Sequence, residues 1–289
     1  MQIMERDRVT IWMVYEHRYI CSRQLTALLC DFSQCCLRRL QLLYHHGYLE
    51  RPRAQLHYYH RSGSRPIVYG LGSKGAALLK KELGDKFHDV RWGEKNRSVG
   101  RIFLEHALLV SDVMVALELA CRRAGNVRLI QEDQLLVGDS DNTSRSLFRW
   151  TVRIGGGVTL GVVPDRVFAL EFEKEGKHAR AYFFLEADRG TMPVVRKNLS
   201  QTSMYRKFRA YAATWSHAVH EKRFGFHRFR VLTVTRSAAR AKALVDACSK
   251  LERGHGLFLF ADQGVLKKPH LLFAPLWRTG RLDESSSLL

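Results

Sequence analysis

Apolar residues in the first third of the chain fall at helical intervals, in short stretches separated by polar turns. Val9, Ile11, Trp12, Val14 and Tyr15 stripe one side of residues 5–17, with charges on the other side. Ser22 stands where it can cap a second, short helix over 23–29, and Asp31-Phe32-Ser33 supplies a tight turn. A longer helix over 34–46 then buries Leu37, Leu40, Leu43 and Tyr44 and stops at Gly47. Beyond it the pattern changes. Residues 48–51 and 66–71 can pair as a hairpin across a polar stretch whose turn signal is Ser62-Gly63-Ser64. An amphipathic helix over 74–83 closes the segment. Helix, short helix, turn, helix and hairpin in this order predict a winged helix-turn-helix over residues 1–84.

Residues 85–101 are polar, carry Gly93 and Gly100, and read as a linker. A broad apolar face over 102–123, with Leu104, Leu108, Val113, Met114 and Leu117, predicts a long, largely buried helix. Strands are expected at 127–130, near 147–154, and at 166–172, 181–188, 229–234 and 256–260, with helices over 198–217 and 238–250. Gly155-Gly156-Gly157 has no helix behind it and reads as a turn, not a phosphate loop. The expected fold class is therefore α/β in the α+β sense, a winged helix-turn-helix followed by a mixed-sheet domain over 102–280. Residues 281–289, with their serine run, are expected to form a disordered tail.

Charge sharpens this picture. The chain has 47 Lys and Arg against 28 Asp and Glu, a net charge of +19, which attracts a polyanion, most commonly DNA or RNA, with a generally basic but unspecific surface as the alternative. A helix-turn-helix offers the start of its second helix to the major groove, here Ser33, Gln34, Arg38 and Arg39. Glutamine suits adenine and arginine suits guanine. Arg51, Arg53, Arg61 and Arg65 of the wing are spaced to straddle the flanking phosphates. Double-stranded DNA, at an origin or operator site, is the expected partner. A protein-docking role for the winged helix is the alternative, and the arginine-rich wing argues against it. No apolar run reaches a membrane span of about 20 residues, and the N-terminus lacks signal-peptide character. The six cysteines have no C-x-x-C spacing, so free thiols in a reducing cytoplasm are expected.

The candidate chemistry lies in the second half. Glu186 and Asp188 are two apart on a strand and share a face, and Asp165 opens the strand expected to pair with theirs. Three converging carboxylates repel one another unless a cation offsets them, which points to Mg²⁺ or Mn²⁺ held by Asp165, Glu186 and Asp188. Such an ion polarises a phosphodiester and generates hydroxide. Pro164-Asp165 followed by Glu186-x-Asp188 resembles the PD-(D/E)xK nuclease pattern, with Asp188 where that pattern has lysine. Lys207, on the edge of a helical stripe formed by Met204, Phe208, Tyr211 and Trp215, is the candidate for the missing positive charge. Asp165, Glu186, Asp188 and Lys207 are thus the candidate catalytic set. For Glu105 and Asp112, seven apart on one helical face, an ion pair with an arginine is the plainer reading. Asp188 and Arg189 can also form a structural pair, with Gly190 providing the turn.

The order winged helix, Glu105-His106-Ala107-Leu108-Leu109-Val110-Ser111-Asp112, Pro164-Asp165 and Glu186-Ala187-Asp188-Arg189-Gly190-Thr191 resembles the replication-relaxation family of mobile genetic elements, itself similar to MobC-type plasmid relaxases. The resemblance implies a restriction-endonuclease-like second domain, DNA binding and strand nicking in plasmid replication or transfer. It also makes glutamate-x-aspartate-arginine-glycine the ordinary form of the motif. A homodimer and other replication or transfer proteins are further candidate partners. The His-hydrophobic-His ligands of two-histidine relaxases and the G-x-x-x-x-G-K-[ST] loop are both absent from the sequence. Two readings follow: a metal-dependent site-specific endonuclease, or a non-catalytic DNA-binding accessory factor or transcriptional regulator. Either water or a tyrosine such as Tyr205 or Tyr211 could be the nucleophile of the first.

Overall fold

The computed structural model describes residues 1–29, 33–55, 66–84, 87, 92–135, 148–174, 176–198 and 201–289. They form two compact units, Met1–Val115 and Ala116–Leu289. In the first, Glu5–His17 (α1), Tyr19–Cys21 (β1), Ser22–Leu29 (α2) and Ser33–His45 (α3) are followed by Leu49–Glu50 (β2), Val68–Leu71 (β3), Ser73–Leu83 (α4) and Trp92–Ser98 (α5). The three strands make an antiparallel sheet in the order β1-β3-β2, pairing Tyr19 with Gly70 and Leu49 with Leu71. Ile11, Val14, Leu25, Leu40, Leu43, Leu49 and Leu71 fill the core between helices and sheet. Gly47, at φ +78°, ends α3 in the left-handed region that favours glycine.

Several expectations need correction in this unit. Leu37 is 39% exposed, because the buried side of α3 runs through Cys36, Leu40 and Leu43. Ser22 is the first residue of α2; the Gln24 side-chain Oε1 accepts from the Cys21 N–H at 2.7 Å. Of the expected linker, residues 92–98 are helical and belong to the core. Trp92 packs on Tyr15 with ring centroids 5.7 Å apart, and Asn96 Nδ2 donates to the Leu71 carbonyl at 2.8 Å.

The helix Arg101–Ala124 (α6) gives its first turns to one unit and its last to the other. In the second unit come Val127–Ile130 (β4), the hairpin Trp150–Arg153 (β5) and Thr159–Val162 (β6), then Arg166–Lys174 (β7) and Lys177–Asp188 (β8). Met204–Ser216 (α7), Val219–Phe224 (α8), Phe229–Thr235 (β9), Ala238–Cys248 (α9), Phe258–Asp262 (β10), Trp277–Thr279 (β11) and Ser285–Ser286 (β12) complete it. Seven strands form one mixed sheet in the order β12-β11-β10-β9-β8-β7-β4. β4, β7 and β8 are antiparallel neighbours, whereas β8, β9 and β10 run parallel. Parallel neighbours need crossovers, which α7 with α8 and then α9 provide. The protein is thus mixed α/β, as the periodicity predicts.

Both faces of the central strands are apolar, as expected of a sheet covered on each side. One carries Val167, Ala169, Phe184, Val231, Phe258 and Phe260 in a cluster with Phe208 and Tyr211 of α7 and Trp150 of β5. On the other, Phe168 stacks on Phe183 at 5.0 Å. The final residues are not a disordered tail. Ser286 pairs with Trp277 of β11, the Ser287 carbonyl accepts from Arg230 at 2.6 Å, and Leu288 is buried.

Candidate functional site

The register of three strands assembles the carboxylates. Arg166 of β7 pairs with Leu185, so Asp165, one residue earlier, lies beside Glu186 at the end of the hairpin. Its amide donates to the Leu185 carbonyl at 2.9 Å, and its Oδ2 accepts from the Ala187 N–H at 2.7 Å. On the other side of β8, Glu186 is level with Thr233 and Asp188 with Thr235. Glu186 and Asp188 are both buried and share the face covered by α7 and α9.

Their partners differ. Tyr211 donates its hydroxyl to Glu186 Oε1 at 2.6 Å, and Lys207, one turn earlier on α7, places its ammonium on Oε2. Ser203 caps α7 by accepting from the Arg206 N–H at 3.2 Å, which fixes the turn that carries Lys207. Lys207 therefore faces the sheet and meets Glu186, as the helical stripe predicts. Burial pushes the Glu186 carboxyl above its usual range; Lys207 opposes this and Asp165 adds to it. Burial works against the charge on Lys207, but Glu186, Asp165 and then Asp188 overcome it and hold its pKa above the ordinary lysine value. Burial, followed by Glu186, pushes the Tyr211 hydroxyl well above the ordinary phenol value.

Asp188 is held by arginine. Arg240 Nε donates to its Oδ2 at 2.8 Å and a terminal nitrogen donates to Oδ1 at 3.2 Å, while the same guanidinium also reaches the Met192 carbonyl. Thr235 Oγ1 donates to Oδ2 at 2.8 Å and the Gly190 N–H to Oδ1 at 3.0 Å. Gly190, at φ +76°, makes the turn that brings its N–H back. A carboxylate has about four lone-pair sites, and these four donors use them. Asp188 is therefore in a structural pair, and Arg240 is a partner the sequence did not indicate. Among the described residues, no group of three or more His, Cys, Asp or Glu side chains is arranged to hold a metal. Asp188 does not suit a metal without giving up its donors.

Glu105 bonds Arg101 at 2.9 Å, and Asp112 accepts from Gln24 at 2.7 Å. Of the two tyrosines considered as nucleophiles, Tyr211 is buried beneath Glu186, and the Tyr205 hydroxyl donates to the Lys250 carbonyl at 3.3 Å. Trp215, expected in the buried stripe, is 43% exposed. Arg240, Thr233 and Thr235 had no local signal in the sequence. They reach the site through strand register and a crossover.

In the first unit the expected DNA-facing residues separate into two groups. Gln34 and Arg38 are exposed on α3. Arg39 is turned away: its Nε donates to Asp7 Oδ1 at 2.6 Å, and a terminal nitrogen binds Asp7 Oδ2 and, at 3.0 Å, the Gln2 carbonyl. Asp7 is completely buried and also accepts from the Met4 N–H at 2.8 Å, which caps α1. Burial raises the Asp7 pKa, yet the Arg39 guanidinium and the Met4 amide outweigh it and hold the carboxyl below its usual value. Arg51 lies over the Tyr44 ring at 4.1 Å and bonds the Tyr69 hydroxyl at 3.2 Å, whereas Arg53 is exposed. Arg61 and Arg65 lie outside the described residues, as does the Ser33 side chain.

Fold and site together define a two-unit α/β protein with a helical, arginine-bearing first unit and an internal carboxylate–lysine group at the strand ends of the second. Residues 12–228 match the model of the replication-relaxation family, and the chain belongs to that family. Membership associates it with DNA and with the replication or transfer of plasmids and other mobile elements. The matched span holds Asp165, Glu186, Asp188, Lys207 and Tyr211 and ends one residue before β9, so Thr235 and Arg240 lie beyond it. Comparison with curated proteins and with solved structures gives no significant match. No helix among the described residues is long and apolar enough to cross a membrane.

Proposed function

We propose that the protein is a site-specific DNA endonuclease of the nickase or relaxase type, acting in replication or transfer of a mobile element and addressed to its duplex by a winged helix. The first unit supports the second half of this reading: its order α1-β1-α2-α3-β2-β3 is compatible with a winged helix in which α3 would be the groove helix. For the chemistry, the observation that carries the reading is Lys207 on Glu186 beside Asp165, at the ends of β7 and β8. The strand and helix order from α6 through β10 is the one expected of a restriction-endonuclease-like sheet. Asp165 and Glu186 would hold Mg²⁺ or Mn²⁺, which when bound supplies charge to polarise a phosphodiester and acidify water. Lys207 is a point charge on a flexible stem, about a third exposed, and can leave Glu186 to meet a phosphate oxygen. Tyr211 keeps Glu186 oriented meanwhile.

The test is nicking of supercoiled plasmid carrying the element's own origin, with Mg²⁺ or Mn²⁺. Asp165→Asn, Glu186→Gln and Lys207→Met are each expected to slow the appearance of open circles by about 100-fold or more. A second reading, a non-catalytic accessory factor or regulator, is favoured by the saturation of Asp188 by Arg240, Thr235 and Gly190. Salt-sensitive duplex binding with no open circles under either metal would establish that reading.

A further inference from the structure

The outward side of α3 has a composition that its sequence alone hides. Residues 34, 38, 41 and 45 follow one another at intervals of four, three and four, so they form a single stripe along the helix. Gln34, Arg38, Gln41 and His45 occupy it and all four are exposed. Leu37, 39% exposed, and Leu42, 37% exposed, flank the stripe. The helix contains no acidic residue to repel phosphate. Arg39, its other arginine, is removed from this side by Asp7. What remains on the stripe is two amides, one guanidinium and the His45 imidazole; the amides and the guanidinium can make paired hydrogen bonds to adenine and to guanine. Gln34 and Gln41 are seven residues apart, about 10 Å along the axis at about 1.5 Å per residue. That is about three base steps of roughly 3.4 Å.

We infer that α3 reads base sequence directly: Arg38 on a guanine, Gln34 and Gln41 on adenines to either side, and Leu37 against a thymine methyl. Arg39 takes no part in recognition. This rests on the reading of the first unit as duplex-binding, and deepens it from DNA in general to a short site containing guanine, adenine and thymine.

The experiment uses the full chain and a pool of randomised duplexes. The wild type is expected to enrich a short motif. Arg38→Ala is expected to lose the guanine preference, by about ten- to hundredfold, while keeping its affinity for arbitrary duplex. Replacing motif thymines by uracil should weaken the wild type and leave Leu37→Ala indifferent. Arg39→Ala should enrich the same motif at temperatures where it is folded. If the wild type binds duplex but enriches nothing, the inference is overturned and the duplex-binding reading stands. The same holds if Arg38→Ala weakens all duplexes alike and lowers the salt slope by about one, since that marks a phosphate contact. Failure of the wild type to bind any duplex overturns the reading of the first unit itself.

Discussion

Three buried carboxylates are satisfied in two different ways. Asp7 in the first unit and Asp188 in the second are each gripped by a guanidinium through two nitrogens, with backbone N–H groups taking other lone pairs. Glu186, two residues from Asp188 and on the same strand face, is held by an ammonium and a phenol. An arginine fork is planar and permanently charged, and it fits a carboxylate at both oxygens, so the pair behaves as a fixed strut. A lysine is a single charge on a rotatable stem and can exchange one oxygen for another. The difference separates forked from single-point partners: Arg39 and Arg240 lock their carboxylates, whereas Lys207 and Tyr211 each hold one oxygen of Glu186.

The largest expected effects break the struts. Arg240→Ala strands the Asp188 charge in a buried setting and should lower the stability of the second unit by about 3–5 kcal/mol; Arg39→Ala should do the same to the first unit through Asp7. Denaturant unfolding of the full chain, fitted as separate transitions, measures both. Tyr211→Phe removes one hydrogen bond to a charged group, at about 2 kcal/mol. Lys207→Met should cost less than either arginine variant, because Glu186, whose pKa burial already raises, can take up a proton when its partner is gone. A Lys207→Met protein as destabilised as Arg240→Ala would erase the distinction between strut and mobile charge.

Acid should separate the two kinds of carboxylate by sign. Asp7 has a folded-state value below its ordinary 3.8, so its contribution is complete above that value and is lost as pH falls through the lower folded one. Glu186 has a folded-state value above its ordinary 4.5, so the folded state binds the proton more readily. Its contribution therefore worsens as pH rises from 4.5 through the folded value. Thermal unfolding between about pH 3 and about pH 7 checks this. The advantage of wild type over Asp7→Asn should shrink toward the acid end, and the stability of wild type relative to Glu186→Gln should fall as pH rises toward neutrality. Parallel trends for the two variants would contradict the assignment of opposite shifts.

How far the sequence discloses these arrangements depends on whether the information is local. The helices α1, α3, α4 and α6 announce themselves through apolar spacing, and Lys207 is legible because its helix has a stripe with an edge. The strand β1 is only Tyr19–Cys21, too short to show alternation. The helix Trp92–Ser98 hides in polar composition because its anchors are single residues, Trp92 and Asn96. Arg38 and Arg39 are indistinguishable as neighbours until Asp7, far away in sequence, claims one of them. Arg240 is 52 residues from Asp188 and meets it only because β9 lies parallel to β8 and α9 turns back over that edge. Tertiary register carries that pairing, and no periodicity encodes it.

The smallest effect tests whether the same rule holds just after β2. Arg51 and Arg53 are two residues apart and look equivalent as phosphate contacts, yet Arg51 is stacked on Tyr44 and bonded to Tyr69, whereas Arg53 is exposed. Arg51→Lys keeps the charge and loses the flat stacking surface, so it should lower the stability of the first unit by about 0.5–1 kcal/mol and leave the salt dependence of duplex binding unchanged. Arg53→Ala should leave stability unchanged and reduce the slope of log affinity against log salt by about one. Unfolding curves and binding at several salt concentrations measure the pair. If Arg51→Lys changes the salt slope while stability holds, the stacked arginine is a phosphate contact after all, and a held guanidinium does not by itself mark a structural role.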